Sequence, residues 1–259
     1  MSEKRYQMNA TKARLNLNRA VGIQEGPVQL RLRNPHGDVI ISAAENNSIS
    51  VEASIEYDAA ELSEAEVRAL LRLTSAGNSA TLAVDKPDFS QSLKADLVVK
   101  LPSRARLALN VSLGDVAVSG MAGDIEIKAS MGKVWLDGGR GKVEIETSNG
   151  AVDARNVQPD EHLIIKTSLG DISYQGLLAA SGNEISATNG NITVKLPPAH
   201  QLHLSARTMV GRVYSDFPIT GPVNRFVGMR VEGGSLSLAS DTPALQIRAM
   251  VGDINIKQS

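Results

Sequence analysis

Apolar and polar residues alternate along most of the chain, and from residue 111 onward the alternation is punctuated by glycine at near-regular intervals. The recurring unit is a small or polar residue, a small residue, a variable residue, Gly, a polar turn residue, then Val or Ile alternating with anything. It reads Val111-Ser-Leu-Gly114-Asp-Val-Ala-Val118, Ala129-Ser-Met-Gly132-Lys-Val-Trp-Leu136, Thr147-Ser-Asn-Gly150-Ala-Val-Asp-Ala154 and Thr167-Ser-Leu-Gly170-Asp-Ile-Ser-Tyr174. Further copies lie around Gly190, Gly211 and Gly252, with a degenerate one at Val231-Glu-Gly233, so successive glycines are 18, 18, 20, 20, 21, 22 and 19 residues apart. Half-period partners at Gly123 and Gly141 divide the early units into two short segments. Alternation with period two is the signature of a strand with one buried face, and one such unit cannot bury that face alone. Stacking each unit as a coil lines up Val116, Val134, Val152, Ile172, Ile192, Val213, Leu236 and Ile254 as one interior ladder. The other side stacks Ile125, Val143, Leu163, Ile185, Leu202, Met229 and Leu245. The pattern therefore predicts an all-β chain, a β-solenoid with two short strands per coil of about 18–22 residues. Asp115 and Asp124 fall one coil before Lys133 and Lys142, so neighbouring coils carry opposite charges.

The first hundred residues depart from this regularity. Residues 1–27 are polar and basic and are expected to form a tail or an edge strand, and residues 28–101 an N-terminal β region ahead of the regular solenoid over 102–259. Val28 to Ile41 reads as two strands around a turn at Gly37. Ser63-Glu-Ala-Glu66 is a capping box before Val67, Leu70 and Leu71, which predicts one short helix near 63–73, placed to cover an end of the solenoid. Lys100-Leu-Pro102 and Lys195-Leu-Pro197 each precede a new alternating strand, as though one loop solution were used twice.

Composition sharpens the core. Of the 259 residues 42% are hydrophobic but only 3% aromatic, so the interior is aliphatic, as a narrow two-sided coil requires. A net charge of -1 gives no electrostatic footprint for nucleic acid or an acidic membrane surface. With no cysteine there is no disulfide, thiolate metal site or cysteine nucleophile. No run approaches the length of a membrane span, and no signal-peptide core follows the first residues, so the expected location is cytoplasmic, with the cell surface by a route not visible in the sequence as the alternative.

Candidate chemistry is sparse. Gly138-Gly-Arg-Gly141-Lys-Val143 approaches a calcium-binding β-roll turn, but Val143 stands where an Asp ligand belongs. The residues after the main glycines, Asp115, Lys133, Ala151, Asp171, Asn191, Arg212 and Asp253, interleave acids with bases, and Asp there reads as a turn residue bonding its own backbone. His200 and His203 fall on opposite faces of an extended segment and lack a third ligand. No catalytic, cofactor-binding or metal-binding residue is assigned. Two positions after each of these, the outward ladder offers only Trp135 and Tyr214 as a contact surface.

The glycine-punctuated runs, together with Leu32-Arg-Asn-Pro-His-Gly-Asp-Val-Ile-Ile41 and Ala187-Thr-Asn-Gly-Asn-Ile-Thr-Val-Lys-Leu-Pro197, resemble the bacterial putative-adhesin family of β-strand-repeat proteins from about residue 28 to the end. The resemblance implies a β-solenoid, often behind a signal or anchor, with no shared enzyme activity. Three functions are expected in turn. The first is a non-enzymatic scaffold that self-associates, or binds another protein, through an open C-terminal edge at Ile254 and Ile256. The second is a surface adhesin or ligand-binding module; the third is a carbohydrate-active enzyme, which would need acids converging on one face. Asp at Val152 or Ile172 would bury a charge between coils and collapse the stack.

Overall fold

A computed structural model describes residues 12–24, 26–45, 47–87, 92–198, 203–217, 223–224, 230–233 and 244–259. Two large sheets face each other, and the chain crosses repeatedly from one to the other at a glycine. Each crossing makes one coil: β2 (Gln29–His36) and β3 (Val39–Ala44), β8 (Arg106–Leu113) and β9 (Val116–Ser119), β10 (Ile125–Met131) and β11 (Val134–Asp137), β12 (Val143–Asn149) and β13 (Val152–Val157). The series continues with β14 (Leu163–Leu169) and β15 (Ile172–Gly176), β16 (Asn183–Asn189) and β17 (Ile192–Leu196), β18 (His203–Val210) and β19 (Val213–Ser215), and β22 (Ala244–Val251) and β23 (Ile254–Gln258). The expected β-solenoid is thus present, its coils paired in parallel within each sheet. A single, mainly aliphatic core runs from Leu15 to Ile256, with Tyr57, Tyr174 and Phe217 as its aromatic members.

The remaining elements close the N-terminal end. β6 (Ser79–Val84) and β7 (Lys94–Pro102) form a further coil outside β2 and β3. Beyond it the pairing turns antiparallel, with β4 (Ser48–Asp58) and then β1 (Lys12–Gly22) in one sheet and β5 (Leu71–Ala76) in the other. β1 is an edge strand, and Lys12, Arg14 and Arg19 place charge along it, which discourages further strand addition. Helix α1 (Glu64–Leu70) packs against β1 and β5, buries Val67 and carries the capping box through Ser63 and Glu66. It stops short of the expected residue 73, because Leu71 to Leu73 pair with Leu82 to Val84 in the β5–β6 hairpin. Strand pairing there outweighs local helix propensity.

Four expectations are refined or corrected. The two strands read around Gly37 are present, but they lie in different sheets as an ordinary coil, with Leu30 beside Leu107 and Val39 beside Val116, so parallel stacking begins before residue 102. The degenerate copy at Val231 is not a coil, since β21 (Arg230–Gly233) runs antiparallel to β18 and pairs with β20 (Val223–Asn224). In the second ladder Leu163 meets Asn183 and not Ile185, which pairs with Ile165, while Leu204 meets Leu245. The distance back from the corner glycine sets register, and Asn183 fits the buried slot by bonding Ala179 N, Ala179 O and Ala244 O. Leu202, Met229, Leu236 and His200 lie outside the described residues.

The fourth concerns coil order. β22 and β23 insert between the coils of β16–β17 and β18–β19, so the last coil in sequence is the last but one in space. The N-terminal end mirrors this, with β2 and β3 held between β6–β7 and β8–β9. The two Lys-Leu-Pro segments mark both events: each ends the strand, β7 or β17, after which the chain skips one coil position before re-entering the stack.

Candidate interaction surface

The glycine corners set the geometry of the long edge where the chain leaves the β2–β8–β10 sheet and enters the β3–β9–β11 sheet. Gly37, Gly114, Gly132, Gly150, Gly170, Gly190, Gly252 and Gly211 stack one upon the next. A Cβ on Gly132 would stand 2.0 Å from the Gly114 carbonyl oxygen, and one on Gly170 2.3 Å from that of Gly150. Backbones therefore meet at van der Waals distance along this edge, and only hydrogen fits.

The acids after these glycines are committed to the same stacking. Oδ1 of Asp96, Asp38 and Asp115 accepts in turn from the backbone N–H of Asp38, Asp115 and Lys133, at 2.8, 2.9 and 2.7 Å. The relay breaks at Lys133 and Ala151. It resumes as Asp171 to Asn191 N, Asn191 to Asp253 N and Asp253 to Arg212 N. These side chains bond the next coil's backbone, and not their own as expected. They act as staples that hold coils in register, and this accounts for Asp or Asn at the position without catalysis. No group of three metal-ligating side chains occurs among the described residues.

Trp135 and Tyr214 both sit on the outer face of the β3–β9–β11 sheet, three residues past a corner glycine, and each is partly exposed. They share one cross-strand row but β13, β15, β17 and β23 intervene, so five steps of about 4.8 Å separate them by roughly 24 Å. Each has a cation beside it. Lys133 Nζ lies 5.9 Å from the Trp135 ring centroid, and Arg212 Nη1 lies 3.4 Å from the Tyr214 hydroxyl. Ile254 and Ile256 are at 0% and 1% exposure and are paired on both sides, by β17 and β19, so they form no open edge.

The structure brings together what separate residues did not suggest. Nine of the ten exposed large apolar side chains among the described residues lie within three positions of a corner glycine: Ile40, Met131, Trp135, Leu169, Met209, Val210, Tyr214, Met250 and Val251. Leu177 alone is elsewhere. Beside this apolar edge runs a column four residues before each glycine that holds Arg33, Lys128, Lys166, Arg248 and Arg207, interrupted by Asn110, Glu146 and Ser186. Shallow grooves lie between that column and the one two residues before each glycine. The sequence held the signal as a fixed offset from glycine; reading only the positions after each glycine missed it. Lys128 is paired with Glu126 at 2.8 Å and Lys166 with Glu184 at 3.4 Å, whereas Arg207 and Arg33 form no ion pair with a described residue.

Comparisons with known proteins add the following. Residues 91–257 match the family model described as Toastrack DUF4097. No curated protein sequence matches the chain. Among solved structures, a putative cell adhesion protein from Clostridium sporogenes has 15% identity and a TM-score of 0.39, covering 95% of this chain and 100% of its own. A putative adhesin from Bacteroides fragilis has 12% identity and a TM-score of 0.46 over 95% and 97% of the two chains. A putative adhesin from Parabacteroides distasonis has 11% identity and a TM-score of 0.34, again over 95% and 97%. No helix among the described residues is long and apolar enough to cross a membrane.

Proposed function

The chain belongs to the Toastrack DUF4097 family, and on that premise we propose that it is a non-catalytic, adhesin-like binding scaffold that meets its partners along the glycine edge of the solenoid. The observation that carries this reading is the concentration of exposed apolar side chains on that one edge. Scattered surface hydrophobics are normal, but here they gather along one edge, interrupted by Asn149 and Asn189 and flanked by cations, as a contact surface requires. Two features argue for binding over chemistry: the corner acids are occupied with backbone N–H groups, and the grooves beside the edge are open and shallow. Rigidity suits the role, since staples and stacked glycines fix the spacing of side chains from coil to coil.

Assembly through the C-terminal strand loses its basis because both edges of β23 are already paired. The adhesin-like reading takes its place.

Site-specific photo-crosslinking tests the proposal. A benzophenone side chain placed at Met131 or Leu169 on the glycine edge, or at Leu177 away from it, leaves the core untouched, because all three side chains are exposed. In cells making the full chain, covalent adducts are expected from the first two positions and not from Leu177. Adducts of equal yield at Leu177 would overturn the assignment of the edge.

A further inference from the structure

The glycine edge changes character over its last two coils in space. Two residues before the glycine, the coils from β8 to β16 carry Ser or Thr and that of β2 carries Pro35, while the coils of β22 and β18 carry Met250 and Met209. The next position adds Val251 and Val210. Because β22 and β18 are parallel neighbours in register, Val251 pairs with Val210 and Arg248 with Arg207, and the two methionines lie between these pairs. The four apolar side chains are 51%, 49%, 46% and 64% exposed in the order Met250, Met209, Val251, Val210. Together they form a contiguous apolar corner.

Arginine borders it on both sides. Arg207 and Arg248 form one wall of a shallow groove whose other wall is Met209 and Met250 and whose floor includes Ala187 and Ala249. Around the corner, Arg212 bonds the Tyr214 hydroxyl. Among the described residues two acids reach these cations, and each also serves another contact. Glu184 is 4.0 Å from Arg248 but is shared with Lys166, and Asp253 accepts the backbone N–H of Arg212. Elsewhere on this outer face lysines have close carboxylate partners, as Lys128 has Glu126 and Lys142 has Glu144. Arg33, at the far end of the cation column, also forms no ion pair with a described residue, but among the described residues it is at this corner that the cations border four exposed apolar side chains, in a chain whose net charge is -1.

We propose that this corner docks on an anionic lipid bilayer, the Met and Val side chains entering the headgroup region while Arg207, Arg248 and Arg212 meet lipid phosphates. The inference rests on the reading of the glycine edge as the contact surface and names its partner at one end. A projecting apolar corner has no enclosing pocket to fit a folded ligand, whereas a bilayer deforms to accept it. Arginine keeps its charge in the polar layer while its stem lies over the apolar side chains, and tyrosine is at home at the same depth.

The test is co-sedimentation of the full chain with phosphatidylcholine vesicles, with and without a minority of phosphatidylglycerol. Binding is expected only to the anionic vesicles and is expected to weaken as salt rises. Each arginine near an anionic surface contributes roughly fivefold in partition, so Arg207→Gln with Arg248→Gln is expected to lower it about thirtyfold. Met209→Ser with Met250→Ser is expected to lower it roughly tenfold on the same vesicles. All four side chains are exposed, and unchanged thermal unfolding of both double variants confirms that the fold is intact. Absence of binding to anionic vesicles, binding indifferent to either pair, or displacement by soluble polyglutamate would each overturn the proposal, the last by assigning the site to an acidic protein segment. Failure with vesicles while crosslinks persist at Met131 and Leu169 removes this inference alone. Vesicle binding with crosslinks spread to Leu177 removes the broader reading.

Discussion

At Gly150 the reason for glycine can be separated from backbone conformation. Gly132, Gly170 and Gly190 combine a positive φ with a close neighbour, but Gly150 lacks the positive φ and still has no room, since an added Cβ would stand 1.8 Å from the Gly132 carbonyl oxygen. Gly150→Ala is therefore expected to cost about 3 kcal/mol or more in urea unfolding, as coil spacing must give way. Gly22→Ala, with nothing within 4 Å of the new methyl, is expected to stay within about 0.5 kcal/mol of the parent. Equal stabilities would contradict the close stacking of coils. The periodic glycine was plain in the sequence, but its cause was not. Positive φ is a property of one residue, while the approach of a carbonyl 18 residues away is a property of two coils. The Asp staples follow the same logic, for an Asx turn and a bond to the next coil's N–H ask for the same residue in the same place.

Between elements, the sequence predicts type better than neighbour. Alternation gave the strands, and the capping box gave α1, yet the helix ends at Leu70 because Leu71 finds a strand partner in Val84. Coil-to-coil contacts also contain charge. Glu144 on β12 accepts from Lys142 Nζ at 3.0 Å and from His162 Nε2, in the loop before β14, at 2.9 Å. Burial works to raise the Glu144 carboxyl, but hydrogen bonds and charge from Lys142 and His162 outweigh it and hold it below the ordinary glutamate value. The folded state thus binds this proton less readily than the unfolded chain. The resulting stability is complete above the unfolded carboxylate value and is lost as pH falls through the lower folded one. Glu144→Gln is expected to lower the urea midpoint at neutral pH, with the gap to the parent closing as the solution is acidified through the carboxylate range. A gap that does not change with pH would show that the ion pair is not its source.

For the molecule as a whole, coil order decides which surfaces are available. Ile254 lies between Ile192 and Val213 in the aliphatic ladder. Ile254→Asp would bury an unpaired carboxylate among them, and the expected result is a loss of about 3–5 kcal/mol or outright unfolding by circular dichroism. A folded variant whose only change is a smaller mass by light scattering would restore the open-edge assembly and contradict the inserted coil. Because the Val231 segment is not a coil between them, β22 lies directly beside β18, and this creates the Met250 and Met209 corner.

Much of this protein was determined by its sequence. Period-two alternation fixes strands with one buried face, the glycine interval fixes the coil, and scarce aromatic residues fix a thin aliphatic core, because each depends on a few adjacent residues. Which coil lies beside which was decided only by the tertiary structure. Every coil offers the same hydrogen-bonding edges and the same Val or Ile to its neighbour, so β23 satisfies β17 as well as β19 would, and local pattern cannot rank the two. The skips after Lys100-Leu-Pro102 and Lys195-Leu-Pro197 were visible as a repeat but not as a direction. The cation column and the apolar corner belong to the same class. Their members are tens of residues apart and become one surface only when stacking brings equal offsets from glycine to within about 4.8 Å of each other.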